Sequence, residues 1–181
     1  MCKKVKKAFV SLISLLMIFM LILPVSISAK HKINESSTIE EVENEINKYM
    51  IIDGKDVRFD ENKAIKDGQS EFILEIGKKI NTINKTYDST DDEWQLSKLK
   101  LPIWGNWCGP GHGGGPAKDL LDYSCMMHDK DYAKYGYFDC GSDRRLINRI
   151  DAYYFQMKTT EKIAANAIKL YFKAQMKING C

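Results

Sequence analysis

The sequence predicts an all-α protein in which two long antiparallel helices, disulfide-linked, follow a smaller helical segment, and three observations lead there. Pro116 suits the first turn of a helix, and no Gly or Pro follows until Gly136, so residues 117–135 read as one helix. Residues 143–178 carry Leu146, Ile147, Ile150, Tyr153, Tyr154 and Met157 at helical spacing and read as one long or broken helix. Beyond the N-terminal stretch stand four cysteines, Cys108, Cys125, Cys140 and Cys181, an even number suited to disulfides in an oxidising compartment.

The elements follow in order. Lys3, Lys4, Lys6 and Lys7 precede an apolar run from Ala8 to Val25, and small residues from Ser26 to Ala29 offer a cleavage site, so 1–29 read as a secretory signal peptide. Pro24 favours cleavage, and Cys2 would leave with the signal; the length of the run keeps an uncleaved membrane anchor as the alternative. The expected localisation is therefore secreted.

Residues 30–100 hold 12 Lys and Arg against 16 Asp and Glu, and no cysteine. Ile39, Val42, Ile46, Tyr49 and Met50 recur at helical spacing, as do Phe72, Ile73, Ile76, Ile80 and Ile83. Thr38 with Glu41 resembles a capping box, and Asp53-Gly54 and Asp67-Gly68 read as turns. Two or more helices are expected, forming either extra scaffold or a pro-segment that inhibits the rest of the chain from within. Lys98 and Lys100 are candidate protease sites for its removal.

Residues 101–181 hold 11 Lys and Arg against 8 Asp and Glu. Within them, the run from Trp107 to Tyr132 sets a glycine-rich loop beside a His-Asp pair. Gly109, Gly111, Gly113, Gly114 and Gly115 let the backbone turn its carbonyls or amides toward an ion, and a hard cation such as calcium takes carbonyl and carboxylate oxygens. On the following helix Asp122, Cys125, His128 or Asp129, and Tyr132 share a broad face with Leu121. Polar groups on an inward face are costly unless they bind something.

The order WCGPG, DLLDYSCMMHD and SDRRLI resembles the secreted phospholipase A2 family, with its Cys-Gly-x-Gly calcium loop and its Asp-x-x-Asp-x-Cys-Cys-x-x-His-Asp helix, over about residues 104–155. The resemblance implies calcium-dependent hydrolysis of the sn-2 ester of glycerophospholipids. It makes His128 the general base, Asp129 the calcium carboxylate, and the Trp107, Gly109 and Gly111 carbonyls the other protein ligands. It assigns the Gly109 amide to the oxyanion, and Tyr132 to a hydrogen bond with the aspartate that orients His128.

That aspartate is matched to Asp143, because Ser142 reads as a helix N-cap; Asp139 is the competing position. The resemblance also implies a Cys108–Cys125 disulfide, and Cys140–Cys181 is taken as the second pair. The expected partner is a phospholipid membrane surface rather than nucleic acid; no oligomeric state is implied.

The chain departs from the family pattern where Ser124 and Asp131 occupy usual cysteine positions, and His112 is unusual in such a loop. Two other readings use the same residues. Cys108, His112, Cys125 and His128 have spacings suited to tetrahedral zinc, and a secreted calcium- or lipid-binding module would keep the fold without the chemistry. Arg144, Arg145, Arg149, Lys158, Lys162, Lys169, Lys173 and Lys177 make the last helices basic, fit either for anionic headgroups or for a solvated face. Trp104 and Trp107 beside Ile103 suit a lipid contact or a cover over the core.

Overall fold

The computed structural model describes residues 32–88 and 102–181. The expected signal peptide and the candidate cleavage sites Lys98 and Lys100 lie outside the described residues. Lys32–Cys181 form one compact unit. Its described residues form six α-helices, a short 3₁₀ turn and one two-stranded sheet: α1 (Ile39–Ile46), β1 (Met50–Asp53), β2 (Asp56–Phe59), α2 (Glu61–Lys66), α3 (Glu71–Asp88), α4 (Leu120–Tyr135), α5 (Cys140–Tyr153), the turn Tyr154–Gln156, and α6 (Thr159–Ile178). The fold is mainly helical and held by two disulfides, Cys108–Cys125 and Cys140–Cys181. Neither joins α4 to α5: one ties the glycine-rich loop to α4, and the other ties the start of α5 to Cys181, beyond the end of α6.

At α1 the capping box forms as the sequence indicates, with the Glu41 amide donating to Thr38 Oγ1 at 3.3 Å and the Thr38 amide donating to Glu41 Oε2 at 2.8 Å. The antiparallel β1–β2 hairpin is a correction to the all-helical expectation. Its strands are four residues each, too short for a period-two pattern to show, and an isolated hairpin of that size is marginal in water. It is held by α3. The Asn84 side chain accepts the Val57 amide at 3.0 Å, and Asn81 both accepts the Phe59 amide at 2.8 Å and donates to the Phe59 carbonyl at 3.0 Å. A sheet edge that would otherwise be open is thereby satisfied.

The apolar face of α3, with Ile73, Ile76, Ile80 and Ile83 essentially excluded from solvent, packs on α6. Each such side chain contributes about 1.5–3 kcal/mol of transfer free energy. The same core takes in Val42 and Ile46 of α1, Leu121 and Cys125 of α4, and Leu146 and Ile150 of α5. Residues 32–88 therefore share their interior with residues 102–181.

Two helix starts differ from the sequence reading, and the C-terminal stretch takes the broken one of its two expected forms. α4 starts at Leu120 because Asp119, three residues beyond Pro116, is its N-cap. α5 starts at Cys140 because Asp139, and not Ser142, is the cap: its carboxylate accepts the Ser142 amide at 2.7 Å. The long C-terminal stretch is broken at Tyr154–Gln156, where buried Tyr154 accepts a hydrogen bond from Asn166 at 2.9 Å. Among the described residues no helix is long and apolar enough to cross a membrane.

Candidate active site

The site is assembled at the start of α4. Asp122, fully buried, accepts three backbone amides, those of Asn106 at 2.9 Å, Trp107 at 2.7 Å and Lys118 at 2.8 Å. One carboxylate thus grips both ends of the glycine-rich loop. Gly105 makes the grip possible: at φ +59, a Cβ there would lie 2.3 Å from the Asp122 carboxyl group. Asp119 accepts the Trp104 indole N–H at 2.9 Å, the Trp107 indole donates to the Gly115 carbonyl at 3.1 Å, and Cys108–Cys125 closes the loop onto α4. The α4 amide of Leu121 is met by Glu161 of α6 at 2.9 Å, a helix-end partner forty residues away that no local pattern announces.

Two turns further along α4, His128 is buried, and its Nε2 lies 3.0 Å from Asp143 Oδ1 on α5. Tyr132 donates to the same oxygen at 2.5 Å. An ionised carboxylate only accepts, so Nε2 is the donor of this contact, and in the neutral ring Nδ1 would keep its lone pair. The ring is clamped by Tyr132, at 4.1 Å between centroids, and by Phe172 of α6, edge-on at 4.9 Å. Asp139 is engaged elsewhere, as the α5 cap and beside Arg145.

Asp129 follows His128, is partly buried, and differs from the buried carboxylates Glu45, Asp122, Asp143 and Glu161. It has no hydrogen-bond or ion-pair partner among the described residues, and burial together with the charge of Asp122 pushes it up to about 7. Next to it is Gly113, where a Cβ would stand 3.5 Å from Asp129 Oδ2 and 3.0 Å from the Trp107 ring. Of the three carbonyls matched to calcium, those of Trp107 and Gly111 accept nothing from a described residue, and that of Gly109 accepts the His112 amide at 3.1 Å. A partly buried, unpaired carboxylate that lines one cavity with loop residues whose carbonyls have lone pairs to spare is a donor set suited to a hard, oxygen-seeking cation. No cluster of three or more His, Cys, Asp or Glu side chains suited to a metal occurs among the described residues, so the backbone would have to supply most of the ligands.

These groups open onto a cavity of about 260 Å³. Its polar lining comes from the loop between Trp107 and Gly113 with His128 and Asp129; its apolar lining includes Ile83, Ile103, Leu146, Ile168 and Phe172. His112 is among the lining residues, with Nε2 at 3.3 Å from the Gly105 carbonyl. All four cysteines of this part are disulfide-bonded, leaving no thiolate for the zinc arrangement. Trp107 lines the cavity and Trp104 is partly buried against Asp119; the exposed aromatics among the described residues are Tyr123, Phe155, and Tyr135, Tyr137 and Phe138 in and after the end of α4.

Where the family pattern has cysteines, Ser124 donates to the Leu120 carbonyl at 2.8 Å and Asp131 bridges to Arg145 and Arg149 at 3.0 and 3.1 Å. The Asp131 pairs tie α4 to α5 by charge. Sequence reading did not assign the roles of Asp122, Asp119 and Glu161; the signal for the first two was an Asp-x-x-Asp pair at the helix start, and for Glu161 there was none. Comparisons with protein-family models, with curated proteins and with solved structures find no match to this chain.

Proposed function

We propose that this protein is an exported, calcium-dependent phospholipase A2, a carboxylic ester hydrolase that releases fatty acid and lysophospholipid from the sn-2 position. The observation that carries the reading is the pairing of His128, its Nε2 3.0 Å from Asp143 Oδ1, with the unpartnered carboxylate of Asp129 in one largely apolar cavity. In this reading α4 and α5 run antiparallel. Support comes from Tyr123 meeting Tyr153 toward one end and Tyr132 meeting Asp143 toward the other. The two disulfides are compatible with export.

His128 Nδ1 takes a proton from a water as its oxygen attacks the ester carbonyl carbon. Asp143 holds the ring in place and stabilises the imidazolium that forms, and Tyr132 keeps that carboxylate from turning away. The Gly109 amide donates to the developing oxyanion, and the imidazolium then returns its proton to the departing glycerol oxygen. Trp107, Gly109 and Gly111 through their carbonyls, and Asp129 through its carboxylate, would hold calcium. Bound there, the ion supplies Lewis-acid polarisation of the ester carbonyl.

The test is phosphatidylcholine vesicles with the oxidised protein, in calcium and in chelator, beside His128→Gln. Fatty acid release is expected only in calcium, and the variant is expected to lose roughly 100- to 10,000-fold in rate with its melting temperature nearly unchanged. Release that survives in His128→Gln, or none from the wild type, would overturn the reading.

A further inference from the structure

Residues 32–88 carry none of the groups assigned to chemistry, yet one of them reaches the cavity. Ile83 of α3 is 1 % exposed and lines the cavity with Ile168 and Phe172 of α6. Among the described residues it is the sole lining residue from that part of the chain. Its neighbours are committed to the other side of α3: Asn81 and Asn84 are hydrogen-bonded to β2, and Asn84 also donates to Asp56 at 2.6 Å. Where Phe59 lies across Gly77, a Cβ would meet the ring at 2.1 Å, so the hairpin sits directly on the helix backbone. The hairpin thus sets the rotation of α3 about its axis, and that rotation aims Ile83 at the cavity.

The wall to which Ile83 belongs is hydrocarbon and offers no hydrogen bond, whereas the loop and His128 side is polar. Of the parts of a phospholipid, only an acyl chain suits the hydrocarbon side. We infer that α3 is a permanent wall of the acyl-binding cavity and that Ile83 is a specificity-determining residue for acyl-chain length. This rests on the phospholipase reading for its substrate, but the wall itself rests on packing. It assigns residues 32–88 a working part in the site, and a chain lacking them would lose that wall rather than be released from inhibition.

The experiment uses the full chain as wild type, Ile83→Trp and Ile83→Ala. Binding of monomeric fatty acids of increasing length is measured by titration calorimetry, and hydrolysis of short- and long-chain phosphatidylcholine is measured in parallel. Ile83→Trp, which fills the cavity, is expected to weaken long chains relative to short ones by about tenfold or more in both readouts. Ile83→Ala, which enlarges it, is expected to shift preference toward longer chains, and carries the test if the tryptophan variant does not fold. A length profile identical to wild type in the folded variants would overturn the inference. Fatty acid binding that responds to Ile83 without any hydrolysis would sink the phospholipase reading and leave the wall standing; hydrolysis indifferent to Ile83 would do the reverse.

Discussion

Between Lys32 and Asp88 the described interior is nearly all hydrocarbon, with Ser37, Glu45, Asn84 and Thr86 its buried polar residues. Between residues 102 and 181 the interior also contains Asp122, Ser124, His128, Ser142, Asp143, Glu161, Asn166 and Lys169. The second part meets the cost of burying charge with bonds: three amides on Asp122, two donors on Asp143, and Glu43 and Asp151 around Lys169. That Lys169 was read among surface cations, and its burial takes it out of any basic face. Against this background Asp129 stands out as a partly buried carboxylate with no hydrogen-bond or ion-pair partner among the described residues. Arg149 Nη1 and Asn166 Oδ1 are also buried without a hydrogen-bond partner, but neither lines the cavity as Asp129 does, and an unpartnered carboxylate there suits a ligand.

Breaking the polar side should cost most. Asp122→Ala leaves three amides of the glycine-rich loop without their acceptor, and a loss of about 3–5 kcal/mol is expected in chemical denaturation. A loss under about 1 kcal/mol would show that water replaces the carboxylate and that the loop needs no latch. The next effect is expected from Cys140→Ser with Cys181→Ser. Opening a closure of 41 residues should cost about 2–4 kcal/mol, and the His128–Asp143 pair, which it does not touch, should keep its rate once folded.

On the hydrocarbon side Gly77→Ala sharpens the contrast. The new methyl meets Phe59, so about 1–3 kcal/mol should be lost by overpacking, and an unchanged midpoint would mean that the hairpin moves freely on α3.

The last effect concerns pH, and the partial exposure of Asp129 reduces its size. Asp129 is raised from 3.8 to about 7, so below the lower value it is protonated in both the folded and unfolded chain and has no effect on stability. As pH rises through this window the unfolded chain releases the proton first, and stability falls until the folded group also ionises, after which the deficit is constant. In chelator, the melting temperature should therefore drop across that window, and Asp129→Asn should flatten the drop. If both proteins give the same curve, Asp129 is solvated and the argument for a cation beside it fails.

Much of this was legible because it is local. The Thr38–Glu41 capping box, the apolar periodicity of α1 and α3, and the His-Asp pair beside a glycine-rich loop can be read within a few residues of each other. The hairpin was not, since each strand alternates over only four residues and its edge is satisfied by Asn81 and Asn84, more than twenty residues away. Nor were the starts of α4 and α5, where Pro116 and Ser142 competed with Asp119 and Asp139 and the carboxylates hold the cap positions.

By itself the sequence determined the helical periods, the four cysteines, and the residue types that a base and a cation need, because these depend on spacing along one chain. Tertiary structure alone decided that Asp143 rather than Asp139 stands against His128, that Asp122 grips the loop while Asp129 is left without a partner, and that Ile83 joins the cavity wall. Each of those outcomes depends on which face of one helix meets another, and that is settled by packing between segments far apart in sequence.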